Sequence, residues 1–273
     1  MSLEFRTLQP AEYYLKHISA GVRPDGRNLA ERRPLSMSSG NITTADGSAV
    51  VKLGSTTVVC GVRAELSNPR PEEPEQGYLV PNISLPPMCS TMFKPGPPSV
   101  AAQSASQFLA TVLATSGCIQ QEELCICPGK LVWVLYIDLV CLDHSGNILD
   151  ASVSALTSAL KTVTLPSVVV DTDTEEVVVS TNNRKKLTLK NLPISTTFAI
   201  FSSSSSPSPY LLSDPTQEEE NLASSMVTVV TAGDEVCHLH QPGGDQLCPQ
   251  LLQQAIHLAS NRNNQLSGNK STT

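Results

Sequence analysis

The chain has 273 residues, of which 40% are hydrophobic, 16% charged and 4% aromatic, and its formal net charge is −7. This composition is typical of a globular protein with one large core or two smaller linked cores, and it excludes a globally disordered chain. The acidic balance also argues against a protein that binds nucleic acid alone, because phosphate neutralisation needs clustered Lys and Arg. Any nucleic-acid contact should therefore be local or shared with partner chains.

The lack of a recognisable secretory signal and the distribution of cysteines predict a reducing compartment. The longest apolar run, Leu131–Leu142, is interrupted by Asp138 and is too short to span a bilayer. The N-terminal residues lack the apolar core of a secretory signal. Eight cysteines are scattered along the chain, several of them inside strand-like runs, such as Cys60 and Cys141. This distribution suits free core thiols in the cytosol or nucleus better than a disulfide framework.

The first predicted elements are a helix and a hairpin. The segment Pro10–Ile18 has helical spacing and ends shortly before Arg23-Pro-Asp-Gly-Arg27. Within residues 46–62, two apolar runs meet at Gly54-Ser55, which predicts a β-hairpin.

A proline-rich connection follows the hairpin. The many prolines of Ser67–Pro98 allow regular structure only around Tyr78–Ile83. Apolar residues then recur with a period near 3.6 across Val100–Ala114, which predicts an amphipathic helix that packs on the hairpin sheet.

The centre of the chain predicts a strand, a turn and a helix in succession. Leu131–Leu142 is rich in Val, Trp, Tyr and Ile and is typical of a buried strand. His144-Ser-Gly146 makes a turn, and Asn147 can cap a helix whose third position is Asp150. Pro166 ends this strand–turn–helix unit.

The remaining sequence is β-rich. Short apolar runs at regular spacing predict seven strands: Val168–Val170, Val177–Val179, Leu187–Leu189, Ile194–Phe201, Tyr210–Leu212, Met226–Val230 and Val236–His240. A serine-rich stretch, Ser202–Pro209, predicts a flexible hairpin tip. Leu251–Ala259 predicts a closing helix, followed by a polar, frayed tail. The pattern as a whole is α+β in two halves.

Three motifs carry a family resemblance. The hairpin at 46–62, Arg-Pro-Asp-Gly-Arg at 23–27 and Asp-Pro-Thr-Gln-Glu-Glu-Glu at 214–220 resemble the RNase PH-like subunits of the eukaryotic RNA exosome ring. The resemblance runs from about Tyr13 to about His257. It implies an RNase PH fold, with a first half like domain 2 of ribosomal protein S5 and a smaller α+β second half.

The resemblance also implies a division of the chain. An N-terminal helix and extended arm would occupy residues 1–28, domain 1 residues 29–166, domain 2 residues 167–260, and a polar tail residues 261–273.

Active members of this family let inorganic phosphate attack the terminal phosphodiester of RNA. They hold the phosphate with a Gly-Thr-Arg at the start of a helix, where free N–H groups and a guanidinium bind the anion. The corresponding residues here are Asn147, Ile148 and Leu149. The arginine is replaced by leucine, and Asp150 in the same turn competes for the positive end of the helix dipole. The resemblance therefore implies a degenerate phosphate site.

In active members the resemblance also implies two aspartates six residues apart, one of which acts as general acid while both can position a metal ion. Alignment from the strand at 226–230 places Glu219 and Ser225 at these positions. One carboxylate remains, so the resemblance implies a degenerate carboxylate site and no catalytic residues.

The sequence predicts RNA contacts for a few basic residues and no metal site for the cysteine and histidine motifs. The resemblance implies that Lys94, in a loop facing the ring channel, contacts RNA, and Arg23 and Arg27 are further RNA-binding candidates. The triplet Arg184-Lys185-Lys186 is more typical of a solvated face. Cys237-His238-Leu239-His240 and Cys125-Ile-Cys127 lack the spacing of a zinc module, so no metal and no cofactor are expected.

The favoured hypothesis is a non-catalytic scaffold subunit of the exosome ring that lines the channel feeding RNA to 3′–5′ exoribonuclease subunits. Implied partners are other RNase PH-like ring subunits, RNA-binding cap subunits, catalytic exoribonuclease subunits and single-stranded RNA, in rRNA processing and mRNA decay. Implied locations are the nucleus, including the nucleolus, and the cytoplasm. The alternatives are an active phosphorolytic 3′–5′ exoribonuclease and a free-standing RNA-binding adaptor.

Overall fold

The computed structural model describes residues 3–170, 177–202 and 209–268. Its helices are α1 (Leu3–Leu8), α2 (Pro10–Ser19), α3 (Val100–Ser116), α4 (Ile148–Leu160), α5 (Gln217–Leu222) and α6 (Pro249–Gly268). Its strands are β1 (Leu35–Ser39), β2 (Gly47–Leu53), β3 (Thr56–Ser67), β4 (Tyr78–Ser84), β5 (Cys125–Cys127), β6 (Leu131–Asp143), β7 (Thr164–Val170), β8 (Val177–Lys186), β9 (Pro193–Phe201), β10 (Tyr210–Ser213), β11 (Ser225–Ala232) and β12 (Glu235–His240). No helix of the described ranges is long and apolar enough to cross a membrane.

The chain forms two compact units that are discontinuous in sequence. Unit 1 comprises Met1–Pro34, His144–Asp150 and Ile194–Thr273, and unit 2 comprises Leu35–Asp143 and Ala151–Pro193. The first turn of α4 thus belongs to unit 1 and the rest of that helix to unit 2. The predicted division at residues 28, 166 and 260 stays a prediction, since these units are not sequential.

Unit 2 is built on the predicted hairpin. Strands β2 and β3 pair antiparallel, with Leu53 opposite Thr56, so Gly54-Ser55 forms the turn. Gly54 has φ +57°, a conformation that glycine adopts without steric cost. The sheet order is β1-β2-β3-β6-β4, with β5 also paired to β6. Alternate residues are buried in β3 as far as Val62 and in β6 from Leu135 to Cys141, as one-sided burial of a strand requires, whereas Val132–Leu135 are buried without alternation.

Helix α3 confirms the amphipathic prediction. The Ser99 side chain accepts a hydrogen bond from the Ala102 N–H at the start of the helix, and Gly117 ends it at φ +56°. The helix buries Phe108 and Leu109 in the core. The Ser106 hydroxyl ties it to β4 by accepting from the Ile83 N–H at 3.0 Å.

Unit 1 contains a four-stranded sheet in the order β10-β9-β11-β12. Adjacent residues of β9 point to opposite faces of this sheet. On one face Phe198 packs with Val229 and Ala255, and on the other Ala199 packs with Ile18 and neighbouring residues of α2. Helices therefore cover both faces.

Several predicted boundaries are corrected. Leu187–Leu189 is not a strand, because β8 ends at Lys186. Pro166 lies inside β7 rather than ending the preceding unit, and it stands beside a register shift where its missing N–H is tolerated. The predicted tip at 202–209 lies mostly outside the described residues.

The closing helix is longer than predicted. Helix α6 continues to Gly268, past Ala259, where the sequence predicts a polar tail. The extra turns are anchored because Arg262 and Asn263 are buried. Arg262 donates to the Ser195 carbonyl and Asn263 donates to the Gly233 carbonyl.

Candidate functional site at the start of helix α4

The segment predicted to be a degenerate phosphate site lies in unit 1, where α4 begins. Asn147 is buried and has a left-handed backbone conformation, φ +54°. Its side-chain oxygen accepts from the Asp150 N–H at 3.4 Å, which is the predicted cap. Its amide nitrogen donates to Asp150 at 3.0 Å and to Asp214 at 2.6 Å. Asn147 therefore holds two acidic side chains in place and has no side-chain donor left for a ligand.

Asp150 does not act alone at the helix terminus, because two guanidinium groups neutralise it. Arg32 donates to its carboxylate at 2.6 Å, and Arg262 lies 3.4 Å from the same oxygen. Thr197 donates from its hydroxyl at 2.9 Å and from its backbone N–H at 3.2 Å. Burial lowers the pKa of Arg262 to about 10, with the neighbouring Arg32 acting in the same direction. The site thus contains cations, but they are bound to the protein's own carboxylates.

Asp214 is the second anchored carboxylate. Arg33 binds it in a bidentate manner, with Nε donating to Oδ2 at 3.0 Å and Nη2 donating to Oδ1 at 2.8 Å. Burial alone would raise the pKa of Asp214, but the Arg33 and Asn147 hydrogen bonds and the Arg33 charge hold it well below its usual range. Asp214 is therefore ionised at every physiological pH and fixes the arm that carries Arg33.

Glu219, the predicted remnant of the catalytic pair, has a structural role. Its carboxylate is 1% exposed and accepts two hydrogen bonds from Arg23, one of them from Nε at 2.9 Å. One of the same oxygens also accepts from the Thr216 N–H at 2.8 Å, while the Thr216 hydroxyl accepts from the Glu219 N–H at 3.4 Å. This reciprocal pair is a capping box for α5. No accessible oxygen of Glu219 remains to donate a proton to a substrate.

The carboxylate that reaches the start of α4 belongs to Glu220, which the sequence analysis missed. Its Oε1 accepts from the Asn147 N–H at 2.6 Å. Burial raises the pKa of Glu220 to about 7, against the opposing effects of the Asn147 hydrogen bond and the Arg33 charge. The Thr-x-x-Glu capping signal at 216–219 would have assigned Glu219 to the helix cap and left Glu220 for the site.

Ser225, which the sequence predicts to replace the second carboxylate, is hydrogen-bonded to the loop after β12. Gln241 Nε2 donates to its hydroxyl at 3.2 Å, and that hydroxyl donates to the Gly243 carbonyl at 3.4 Å. Ser225 is buried, and it brings no negative charge to the site.

The three predicted RNA-binding residues have different environments. Arg23 is 1% exposed, and its guanidinium donates to Glu219 and to the Ser213 and Asp214 carbonyls, so the prediction for Arg23 is wrong. The side chain of Arg27 is 11% exposed and pairs with Asp25 and Asp214. Lys94 is exposed in unit 2, beside a cavity of about 380 Å³ at the start of α3, and its RNA contact stays a prediction.

The cysteine and histidine motifs have unremarkable surroundings. All eight cysteines are free thiols. His238 and His240 stack with ring centroids 6.2 Å apart. Among the residues that the structure describes, no group of three or more His, Cys, Asp or Glu could hold a metal ion.

Gly146 permits the close approach of the turn before α4 to the start of α5. It has φ +91°, and a Cβ atom there would lie 2.4 Å from the Gln217 nitrogen and 2.5 Å from the Thr216 carbonyl carbon. We expect Gly146→Ala to lower the free energy of unfolding by about 2 kcal/mol or more in urea denaturation, because backbone atoms must move. Gly117→Ala is the matched control. Gly117 also has positive φ, but no atom lies within 4 Å of its added Cβ, so a loss of only about 1 kcal/mol is expected. Equal losses would contradict the close-approach argument.

The six-stranded sheet of unit 2 and the four-stranded sheet of unit 1, with their helices, define a class of protein: an α+β fold of the RNase PH type. Comparison with protein families agrees with this class. Residues 31–166 match domain 1 of the 3′ exoribonuclease family, and residues 191–262 match its domain 2. The chain therefore belongs to the 3′ exoribonuclease, or RNase PH, family, and the predicted α+β RNase PH fold is confirmed.

Within this family, the chain is similar to proteins named as components of the exosome. The chain is 36% identical over 259 residues to exosome complex component rrp43 of Schizosaccharomyces pombe, with 94% of each chain covered. It is 38% identical over 249 residues to exosome complex component Rrp42 of Methanopyrus kandleri, covering 91% of this chain and 90% of that protein. A chain of the Archaeoglobus fulgidus exosome with RNA bound to the active site aligns with a TM-score of 0.82 at 28% identity, covering 95% of this chain and 96% of that one.

Proposed function

We propose that this chain is a non-catalytic subunit of the RNA exosome ring, where it serves as scaffold and as part of the wall of the RNA channel. Family membership and the likeness to named exosome components support the assignment to the ring. The single observation that supports the non-catalytic role is the carboxyl group of Glu220, which accepts from the Asn147 N–H at 2.6 Å.

Phosphate cannot bind an N–H group at the start of α4 that already donates to the Glu220 carboxyl group. A helix N-terminus binds phosphate through its free N–H groups and positive dipole end. Glu220 takes one of these N–H groups in either protonation state, since both forms of a carboxyl group accept hydrogen bonds. Leu149 supplies no guanidinium to compensate, and Ser225 supplies no carboxylate.

In this proposal the partners are other RNase PH-like ring subunits, RNA-binding cap subunits and catalytic exoribonuclease subunits. RNA meets the chain inside the assembly, with Lys94 as the contact residue, because a net charge of −7 opposes binding of RNA phosphates by the chain alone. The proposed substrates are rRNA precursors and mRNA, in the nucleus, including the nucleolus, and in the cytoplasm.

The test compares the purified chain alone with the chain co-expressed with the other ring-type subunits. We expect the mass of a defined ring only on co-expression, and no phosphate-dependent release of nucleoside diphosphates from labelled single-stranded RNA by the isolated chain. A catalytically active phosphorolytic exoribonuclease serves as the positive control for the assay.

The double variant Leu149→Arg with Ser225→Asp sharpens this test. We expect it to remain inactive, because Glu220 still covers the start of α4. Release of nucleoside diphosphates by the wild-type chain alone would favour the active exoribonuclease instead. Tight, salt-sensitive RNA binding by the monomer would favour the free-standing adaptor.

A further inference from the structure

Unit 2 contains a partly apolar groove, whose lining includes none of the residues described at the start of α4. Its volume is about 310 Å³, and we call it the Trp133 groove. Seven residues provide its apolar lining: Cys125, Ile126, Trp133, Leu165, Pro166, Val168 and Leu187. This volume is enough to accept one large apolar side chain together with the backbone that carries it.

Two strand edges flank the Trp133 groove. In the part of the chain that the structure describes, β5 pairs only with β6, and β7 pairs only with β8. Residues of both β5 and β7 line the groove, and each strand has an irregular register at that point, between Cys125 and Cys127 and between Pro166 and Ser167. An unpaired edge beside an apolar groove is the geometry in which an extended peptide is bound by strand addition.

The rim of the groove is basic on its β8 side. Lys185 and Lys186 line the groove, are exposed, and form no ion pair with a described residue. Their neighbour Arg184 differs, because it is bound to Asp46. Glu123 is the acidic residue of the lining. The lining therefore carries two positive charges and one negative charge, although the chain as a whole has a net charge of −7. This local positive charge is complementary to an acidic peptide segment.

We propose that the Trp133 groove docks an extended, acidic peptide segment of a partner protein, with one aliphatic side chain inserted against Trp133 and acidic residues beside Lys185 and Lys186. RNA fits the groove less well, because Lys185 and Lys186 are the only cations among the described residues of the lining and a single strand needs a basic track along its phosphates. This proposal is independent of the proposed function, since it requires no exosome ring.

The only tryptophan of the chain provides the readout. The full-length chain is titrated with the tryptophan-free peptide Asp-Glu-Thr-Val-Leu-Val-Thr-Glu-Asp while the emission of Trp133 is recorded. We expect a saturable change in emission, accompanied by protection of Cys125 from alkylation. Cys248, which is exposed and outside the groove, is the internal control for alkylation.

Matched variants test the charge argument. Lys185→Glu with Lys186→Glu should weaken peptide binding by about tenfold or more, whereas Lys190→Glu, an exposed lysine outside the groove lining, should change it by less than about twofold. Thermal unfolding of each variant checks that the fold is retained.

Three results would overturn the proposal. The first is unchanged Trp133 emission at saturating peptide. The second is equal binding of a peptide in which Lys replaces each acidic residue. The third is a saturable response to single-stranded oligouridylate with no response to the peptide, which would make the groove an RNA site.

Discussion

Glu219→Ala should lower the free energy of unfolding by about 3–5 kcal/mol, because it leaves the buried guanidinium of Arg23 without its counter-ion. The side chains of this pair are 0% and 1% exposed, so water cannot replace the lost carboxylate. The same substitution removes the side chain that accepts from the Thr216 N–H in the α5 capping box. Urea denaturation followed by far-UV circular dichroism measures the loss.

Glu218→Ala is the matched control one position earlier. Glu218 pairs with Arg6, but the side chains of that pair are 43% and 53% exposed, and exposed ion pairs contribute about 1 kcal/mol or less. Glu218 also accepts from the hydroxyl of Tyr14, a residue that is 5% exposed, so the change removes one further hydrogen bond worth about 1 kcal/mol. A loss for Glu219→Ala no larger than that for Glu218→Ala would show that the Arg23 pair is not buried in solution.

The second large effect is a pH-dependent stabilisation by Glu220→Gln. Burial raises the pKa of Glu220 from 4.5 to about 7, so the folded state favours the protonated carboxyl group. The contribution of Glu220 to stability is therefore fully present below pH 4.5 and is lost as the pH rises through 7. The difference between the two pKa values corresponds to roughly 3 kcal/mol once the pH is well above 7.

Glutamine stays neutral at every pH and retains an oxygen that can accept from the Asn147 N–H. We therefore expect Glu220→Gln to be more stable than the wild type at pH 8.5 by up to roughly 3 kcal/mol, and nearly equal to it at pH 4.5. Urea denaturation at the two pH values measures the difference. Glu218→Gln, at an exposed site, should show no such gain at high pH. A Glu220→Gln variant that is less stable than wild type at pH 8.5 would mean that Glu220 is ionised and well compensated.

Local features of the sequence were sufficient to predict the regular elements near the site. Gly54-Ser55 predicted the hairpin turn, because a two-residue loop with positive φ favours glycine. The cap at Asn147 followed from its position before an apolar repeat, and the structure confirms it. Turn and helix-cap signals are reliable because the interactions behind them join residues that are only a few positions apart.

The roles of charged side chains were harder to predict. Arg23 was a candidate RNA contact, yet its partner Glu219 lies 196 positions away along the chain. Three consecutive glutamates, 218–220, look equivalent in sequence, but adjacent residues of a helix point about 100° apart. One therefore pairs with Arg6 at the surface, one pairs with buried Arg23, and one reaches Asn147.

The sequence by itself determined the family and the α+β class, and it predicts that Leu149 stands where active members carry a phosphate-binding arginine. These properties depend on residue identity and local pattern. Only the tertiary structure decided that Glu220, not Glu219, covers the start of α4, and that the nearby arginines are bound to the protein's own carboxylates. The physical reason is that a charge has no fixed role along a chain: its role depends on burial and on partners that folding brings within hydrogen-bonding distance.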